Sequence, residues 1–364
     1  MKKQHFFYAL VLYMIAVFYV ASTTPISPHE AKIFYTSSEI VSTLMHWGEK
    51  SIGGFLGLRI FFIMIGFASL ILFYKLSRRY FLRAKDAYLS TIIFMLLPGI
   101  LTGLVLANIA IVVLFVVLLF VLLYEKEQYL FLPFLMLILF FIHKASIIFF
   151  VALFIYAVVH KDKKLGIAAS VFLMAFIYLS KGIEIGGRPT GHFLEIFGLY
   201  ASVFSPLLFI YFFYAMYRIL LREKKNLLWY ISFTAFAFSL VLSLRQRVYI
   251  TDFAPYVMIS VVLMLDTLNH SVRVRLPEFQ KNYQRGYSVV VGFLIVGAMM
   301  IIFNKNLYFL VDAPSKHFAN RIYKPYFMAE KLKSESRSCY NHIKGREVFQ
   351  MRYYNFTACP NDSL

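Results

Sequence analysis

Two sets of ionisable residues in this sequence lie where charge is costly to place, at the ends of long apolar runs. The first is acidic. Ser27-Pro28-His29-Glu30-Ala31 opens a polar loop, residues 22–54, that follows the first apolar run. A carboxylate there could take a proton from an acceptor hydroxyl or amine, or ligate a divalent metal ion together with His29. The plainer reading makes Glu30 a solvated carboxylate in the first turn of a short interfacial helix, where it suits the helix dipole. The second set is cationic. His143-Lys144 interrupts an apolar run, Lys181 and Arg188 lie in a later loop, and Arg245 and Arg247 flank Gln246 just ahead of Tyr249. A phosphodiester or diphosphate is the natural partner of such residues, because Arg grips it with a planar fork and Lys as a point charge. The plainer reading lets them snorkel to lipid headgroups or pair with Glu184, Glu195 and Asp252.

The elements that must position these groups follow from composition. The 364 residues are 60% hydrophobic and 19% aromatic with only 15% charged, so a bilayer has to serve as solvent for most of the chain. Helices satisfy their own backbone there, and the alternation expected of barrel strands is absent. About eleven apolar spans are expected, near 6–21, 55–74, 87–101, 104–123, 130–142, 146–159, 165–179, 199–220, 227–244, 249–265 and 287–303. Pro98-Gly99 and His143-Lys144 read as tight hairpins between spans.

The formal net charge of +19 would suggest nucleic acid in a soluble protein, but here the basic residues gather in short loops on alternate sides of the spans. Lys2, Lys3, Lys75, Arg78, Arg79, Lys161, Lys163, Arg222, Lys224, Arg273 and Arg275 then share one side, expected to be the cytoplasm, and no nucleic-acid partner is implied. The amino terminus is cytoplasmic on this count, with the first run a retained helix rather than a cleaved signal. Glu30, Lys144, Arg188, Arg245 and Arg247 lie on the outer side, so the cations among them run against the orienting bias.

Residues 1–303 are thus expected to form the membrane domain, and 304–364 a small extracytoplasmic cap. That tail holds the two cysteines, Cys339 and Cys359, which in an oxidising compartment are candidates for a disulfide. Dinucleotide, phosphate-loop, zinc-protease and nucleophile-elbow motifs are missing, as is an internal repeat.

The order of features resembles the C-type superfamily of membrane glycosyltransferases, in particular the group of protein O-mannosyltransferases and aminoarabinose transferases. Pro28-His29-Glu30-Ala31 is similar to the family's acidic pair after the first span. Leu58-Arg59-Ile60 and Ser77-Arg78-Arg79-Tyr80-Phe81 match the start and end of its second span, and Leu96-Leu97-Pro98 its Pro-closed helix. Ile142-His143-Lys144-Ala145 stands at its outer hairpin Lys, and Arg247-Val248-Tyr249-Ile250-Thr251-Asp252-Phe253-Ala254-Pro255 at its basic residue and Tyr before a Pro-containing helix. The chain departs where His29 replaces the first acid and Asn108 a later Asp. The resemblance implies an all-α polytopic fold with interfacial helices in the first outer loop, in the inner membrane of a bacterium. It implies sugar transfer from a polyprenyl-phosphate donor to a lipid, glycan or protein acceptor. Glu30 would be the base with His29 as partner or metal ligand, while Lys144, Arg245, Arg247 and Arg188 hold the donor phosphate and Tyr249 lines the cavity. Membrane lipid is the other expected partner. A glycan polymerase or flippase, a transporter, and a catalytically inactive relative remain as alternatives.

Overall fold

The computed structural model of the chain describes residues 3–37, 39–179, 186, 191–310, 314–341 and 345–359. Arg188 and Lys181 lie outside the described residues. The described chain is helical almost throughout. Its first half comprises α1 (Lys3–Thr23), α2 (Pro28–Thr36), α3 (Ile40–Ile52), α4 (Gly54–Tyr80), α5 (Ala84–Leu96), α6 (Pro98–Val105), α7 (Ile109–Glu125), α8 (Leu132–Ile142) and α9 (Ile147–His160). Then follow α10 (Lys163–Tyr178), α11 (Phe193–Phe204), α12 (Pro206–Arg222), α13 (Leu227–Ser243), α14 (Ile250–Met258), α15 (Val261–Arg273), α16 (Pro277–Ile302), α17 (Asn304–Leu310), α18 (Asn320–Ser334) and α19 (Glu347–Tyr353).

This is an all-α polytopic membrane protein. Helices α1, α4 and α16 are each long and apolar enough to cross a bilayer unaided, and α7, α8, α9 and α13 are shorter apolar helices. Three further apolar runs are broken: α5 and α6 meet at 61°, α11 and α12 at 106°, α14 and α15 at 43°. Proline explains the first two breaks. Leu97 and Ser205 precede Pro98 and Pro206, and the pyrrolidine ring drives the preceding residue out of the helical region. In α14, Pro255 removes a backbone donor shortly before the third bend. The run at 199–220, expected as one straight span, is therefore two helices at a steep angle. The hairpin expected at Pro98-Gly99 is a bend, and the chain breaks again at 106–108 before α7.

The chain divides into two compact units. The larger comprises Met1–Val11, Ile65–Leu101 and Ile109–Ala298. Inside it α9 packs on α10 and α13, α14 on α7 and α13, and α15 on α5 and α12. Its core is aromatic and aliphatic, with Phe73 stacked on Phe94 at 3.7 Å and Phe150 on Phe172 at 5.1 Å between ring centroids.

The smaller unit comprises Leu12–Met64, Thr102–Asn108 and Met299–Leu364. Here α2 packs on α3 and α19, and α19 on α18. Helices α3 and α4 approach so closely that a Cβ on Gly48 would lie 2.1 Å from the Gly57 carbonyl oxygen, and one on Gly57 2.8 Å from that of Gly48. Only glycine permits that backbone contact. In the tail, β1 (Cys339–Tyr340) and β2 (Thr357–Ala358) pair in parallel, and a Cys339–Cys359 disulfide closes the segment that carries α19.

Candidate functional site

The smaller unit is organised about one buried ion pair. Glu30 and Arg59 are 1% and 0% exposed, and two of their contacts are parallel charged hydrogen bonds: Arg59 Nε donates to Glu30 Oε1 and Nη2 to Oε2, both at 2.9 Å. Local sequence sets both residues in place. Ser27 is the N-cap of α2, and its hydroxyl accepts from Glu30 N while Glu30 accepts from Ser27 N, a reciprocal capping box with Pro28 in the first turn. Arg59 lies in the second turn of α4 and reaches the end of α1. There Nη1 donates to the carbonyl oxygens of Ala21 at 2.9 Å and Thr24 at 2.7 Å, and Nη2 to that of Pro25 at 2.9 Å. The last carbonyls of a helix want a cation and the first amides of the next want an anion, so one pair serves α1 and α2 together.

Counting lone pairs and protons shows what this pair can do. Glu30 also accepts from Ala107 N at 2.8 Å, in the break before α7, so its carboxylate receives four hydrogen bonds, from Arg59 twice, Ser27 and Ala107. That fills its acceptor capacity. All five guanidinium protons of Arg59 are likewise directed at acceptors. Burial alone would push the Glu30 carboxyl up, but the Arg59 charge, its hydrogen bonds and the two amides together hold it below the usual carboxylate range. The base expected at Glu30 therefore has no lone pair to offer and no solvent path. The metal expected at His29 and Glu30 meets the same obstacle. Among the described residues no group of three or more His, Cys, Asp or Glu side chains is gathered as a metal set. His29 is exposed on the first turn of α2.

The tail holds the turn between α1 and α2 from another direction. Gln350 of α19 is fully buried and donates from Nε2 to Ile26 O at 2.7 Å and Arg321 O at 3.3 Å. Phe34 stacks on His46 at 3.9 Å and meets Tyr353 edge-on at 6.1 Å, and the Arg352 guanidinium lies 4.5 Å from the centre of the Tyr35 ring.

The expected phosphate-binding cations belong to the larger unit. The chain leaves α8 at His143 and makes one tight helical turn, Lys144–Ser146, before α9. That turn abuts the start of α14: His143 Nε2 is 3.4 Å from Asp252 Oδ1, and the Tyr256 hydroxyl donates to Ser146 Oγ at 3.2 Å. Buried His143 has no partner for Nδ1 among the described residues. Tyr249, the N-cap of α14, is 65% exposed, and Arg245 and Arg247 lead into it. Arg247 is paired, with Nε at 2.7 Å and Nη2 at 2.6 Å from Glu195 Oε1, while Glu195 Oε2 is 2.9 Å from His192 Nδ1. Lys144 and Arg245 are exposed and make no ion pair among the described residues.

The structure thus sets the turn that carries Lys144 against α14, through His143 to Asp252 and Ser146 to Tyr256, and Arg245, Arg247 and Tyr249 lead into the same helix. Glu30 and His29 belong to the other unit. Sequence reasoning named Arg59 as a position but gave it no role, and treated Asp252 and Glu195 only as possible counter-ions. Ala107 and Gln350 carried no signal, since a backbone amide and a lone amide side chain look the same in sequence wherever they lie.

No protein-family model matches this sequence, and no curated protein does. Among solved structures, the chain is similar to the crystal structure of ArnT from Cupriavidus metallidurans in the apo state. The TM-score is 0.58 at 11% identity, over 94% of this chain and 83% of that one. The likeness is one of fold, and it runs through nearly the whole chain.

Proposed function

We propose that this protein is a glycosyltransferase that moves a sugar from a polyprenyl-phosphate donor to a lipid, glycan or protein acceptor at the outer face of a bacterial inner membrane, with its amino terminus in the cytoplasm and its tail outside. The observation that carries the reading is the shared fold with ArnT over 94% of the chain, which for a polytopic membrane protein leaves little room for a different architecture. The cation-bearing turn before α9 supports it.

In this reading Lys144 holds the donor phosphate, and Arg247 turns from Glu195 to help when the donor arrives. Arg245 belongs to the same basic rim, and Tyr249 lines the sugar. The acceptor hydroxyl attacks the anomeric carbon as the bond from that carbon to the phosphate oxygen breaks. The leaving polyprenyl phosphate stays against Lys144, whose charge offsets its new negative charge. A carboxylate stands at hand in Asp252, 36% exposed and steadied by His143, to receive the acceptor proton. Glu30 and Arg59 act by holding the loop between α1 and α4, not by touching the reacting atoms. No step is assigned to a metal ion.

Purified protein in liposomes, given polyprenyl-phosphate sugars, tests the proposal. Lys144→Ala should weaken donor binding by roughly 10- to 150-fold, as loss of a charged hydrogen bond of about 1.5–3 kcal/mol implies. Asp252→Asn should keep donor affinity and lose turnover. Wild-type protein that binds a donor and transfers nothing to any acceptor would return the chain to the transporter or catalytically inactive alternatives.

A further inference from the structure

A second site, away from the Lys144 turn and within the larger unit, is built along helices α12, α15 and α16. Its inner part is a cavity of about 350 Å3, within the range of roughly 300–1,000 Å3 typical of small-molecule sites. The lining is almost wholly apolar, contributed by side chains such as Leu208, Val261, Met264 and Val290. Asn282 and three phenols, Tyr211, Tyr283 and Tyr287, break that pattern. Tyr211 and Tyr287 both line the cavity, and both have buried hydroxyls with no partner among the described residues. A buried hydroxyl without a partner is costly, so a ligand bearing an acceptor would relieve two of them. Gly286 adds to the space, since a Cβ there would meet nothing within 4 Å.

The outer part continues along the same helix faces. On α12 the cavity residue Tyr211 is followed at helical spacing by Tyr214, Arg218 and Arg222, and on α15 Leu268 is followed by Ser271. Together with Arg275, these residues of α12 and Ser271 line a pocket of about 550 Å3 at the end where the basic loops lie. The two parts are joined by Arg275, whose guanidinium lies 3.9 Å from the centre of the Tyr283 ring, while Tyr283 lines the apolar cavity. Arg218 is offset by Glu223 at 3.2 Å and bonds the Ser271 hydroxyl. Arg222 and Arg275 make no ion pair among the described residues, so the pocket carries a net positive charge.

An apolar slot with acceptor-seeking hydroxyls along its wall, opening onto unpaired arginines at a span end, is complementary to one kind of molecule. We propose that this groove binds an anionic glycerophospholipid, with its phosphate on Arg222, Arg275 and Arg218, its ester oxygens toward Tyr211 and Tyr287, and an acyl chain in the cavity. The site does not depend on the transfer reaction proposed above.

The test is native mass spectrometry of the delipidated full-length protein in neutral detergent, titrated separately with phosphatidylglycerol, phosphatidylcholine, polyprenyl phosphate and inorganic phosphate. Phosphatidylglycerol should bind at least tenfold more tightly than the others. The Arg222→Gln/Arg275→Gln double variant, altered only at exposed positions, should lose roughly 30-fold of that affinity, as two surface cations near a lipid phosphate imply. Gly286→Leu, which fills the cavity, should weaken phosphatidylglycerol binding as well. Equal binding of phosphatidylcholine, or affinity unmoved by both variants, would show that the arginines serve only their helix ends. Preference for polyprenyl phosphate would give the groove to the donor, and binding of inorganic phosphate alone would remove the lipid; either overturns the proposal.

Discussion

Replacing Glu30 by Gln should unfold the loop between α1 and α4 before it does anything to chemistry. The carboxylate accepts four hydrogen bonds, from Arg59 Nε and Nη2 and from the amides of Ser27 and Ala107. A glutamine amide presents one oxygen and one nitrogen. The oxygen can keep two donors, but the nitrogen then faces two more donors, and the Arg59 charge is left buried without a counter-ion. Breaking a buried pair on one side costs about 3–5 kcal/mol. Arg59→Ala should cost as much or more, because it also orphans the carbonyls of Ala21, Thr24 and Pro25, at about 1–3 kcal/mol for each that water cannot reach. The double variant Glu30→Leu/Arg59→Met should not recover stability, since those backbone groups stay unpaired. The pH dependence has a definite sign. The Glu30 carboxyl is held below its usual value of 4.5 in the folded protein, so its stabilisation is complete above that value and is lost as pH falls through the lower folded one. Wild type should therefore show an acid-labile step below pH 4.5 that Glu30→Gln lacks. Unfolding in mixed micelles, with proteolysis of residues 22–54 as a local reporter, measures all of this. A Glu30→Gln protein as stable as wild type to within about 0.5 kcal/mol, yet devoid of the proposed transferase activity that wild type shows, would refute the clamp and restore the carboxylate as a base.

The close approach of α3 and α4 makes a second prediction. Gly48→Ala places a methyl group against the Gly57 carbonyl oxygen, which no side-chain rotation can relieve, and should cost at least about 1–3 kcal/mol. Gly198→Ala, where a Cβ meets nothing within 4 Å, is the control and should be neutral or slightly stabilising in the same assay. For the tail, the Cys339–Cys359 bond spans a sequence separation of 20 residues, and Cys339→Ser should lose about 3 kcal/mol of local stability on the loop-closure account. Hydrogen exchange at residues 345–359 should rise many-fold with exchange in α9 unchanged, and unaltered exchange in the tail would show that its packing on α2 is sufficient alone.

Much of the architecture was legible because a bilayer imposes length and hydrophobicity, and both are additive along the sequence. The Pro-driven breaks were only half visible. Leu97-Pro98 was read as a turn, whereas Ser205-Pro206 was passed over inside an apolar run, because periodicity cannot register a change of direction that leaves composition unaltered. The site divides in the same way. Ser27-Pro28-His29-Glu30 announced its own helix start, since a capping box is local. What Glu30 contacts was not local, because Arg59 and Ala107 are 29 and 77 residues away. The sequence could mark a costly carboxylate but could not say what had made it affordable.

Pairing is therefore the test to apply to every cation at the expected outer ends of the spans. Arg59 is accounted for by Glu30, Arg247 by Glu195, and His143, where protonated, by Asp252. Each of these pairs explains why a positive group is tolerated against the orienting bias, and each explanation weakens the case that the residue waits for a ligand. Lys144 passes through this filter. It is exposed, unpaired among the described residues, and sits on a one-turn helix pinned by His143 to Asp252 and by Ser146 to Tyr256. A rigid turn is an expensive way to hold a side chain that merely reaches for solvent, because a flexible loop would let lysine do that without ordering its neighbours. Rigidity is useful where a charge must meet another at a fixed place. On the proposed reading Arg247 would be the gate and Lys144 the anchor: an arriving phosphate would have to displace Glu195 from the first, whereas the second has no ion pair among the described residues to break.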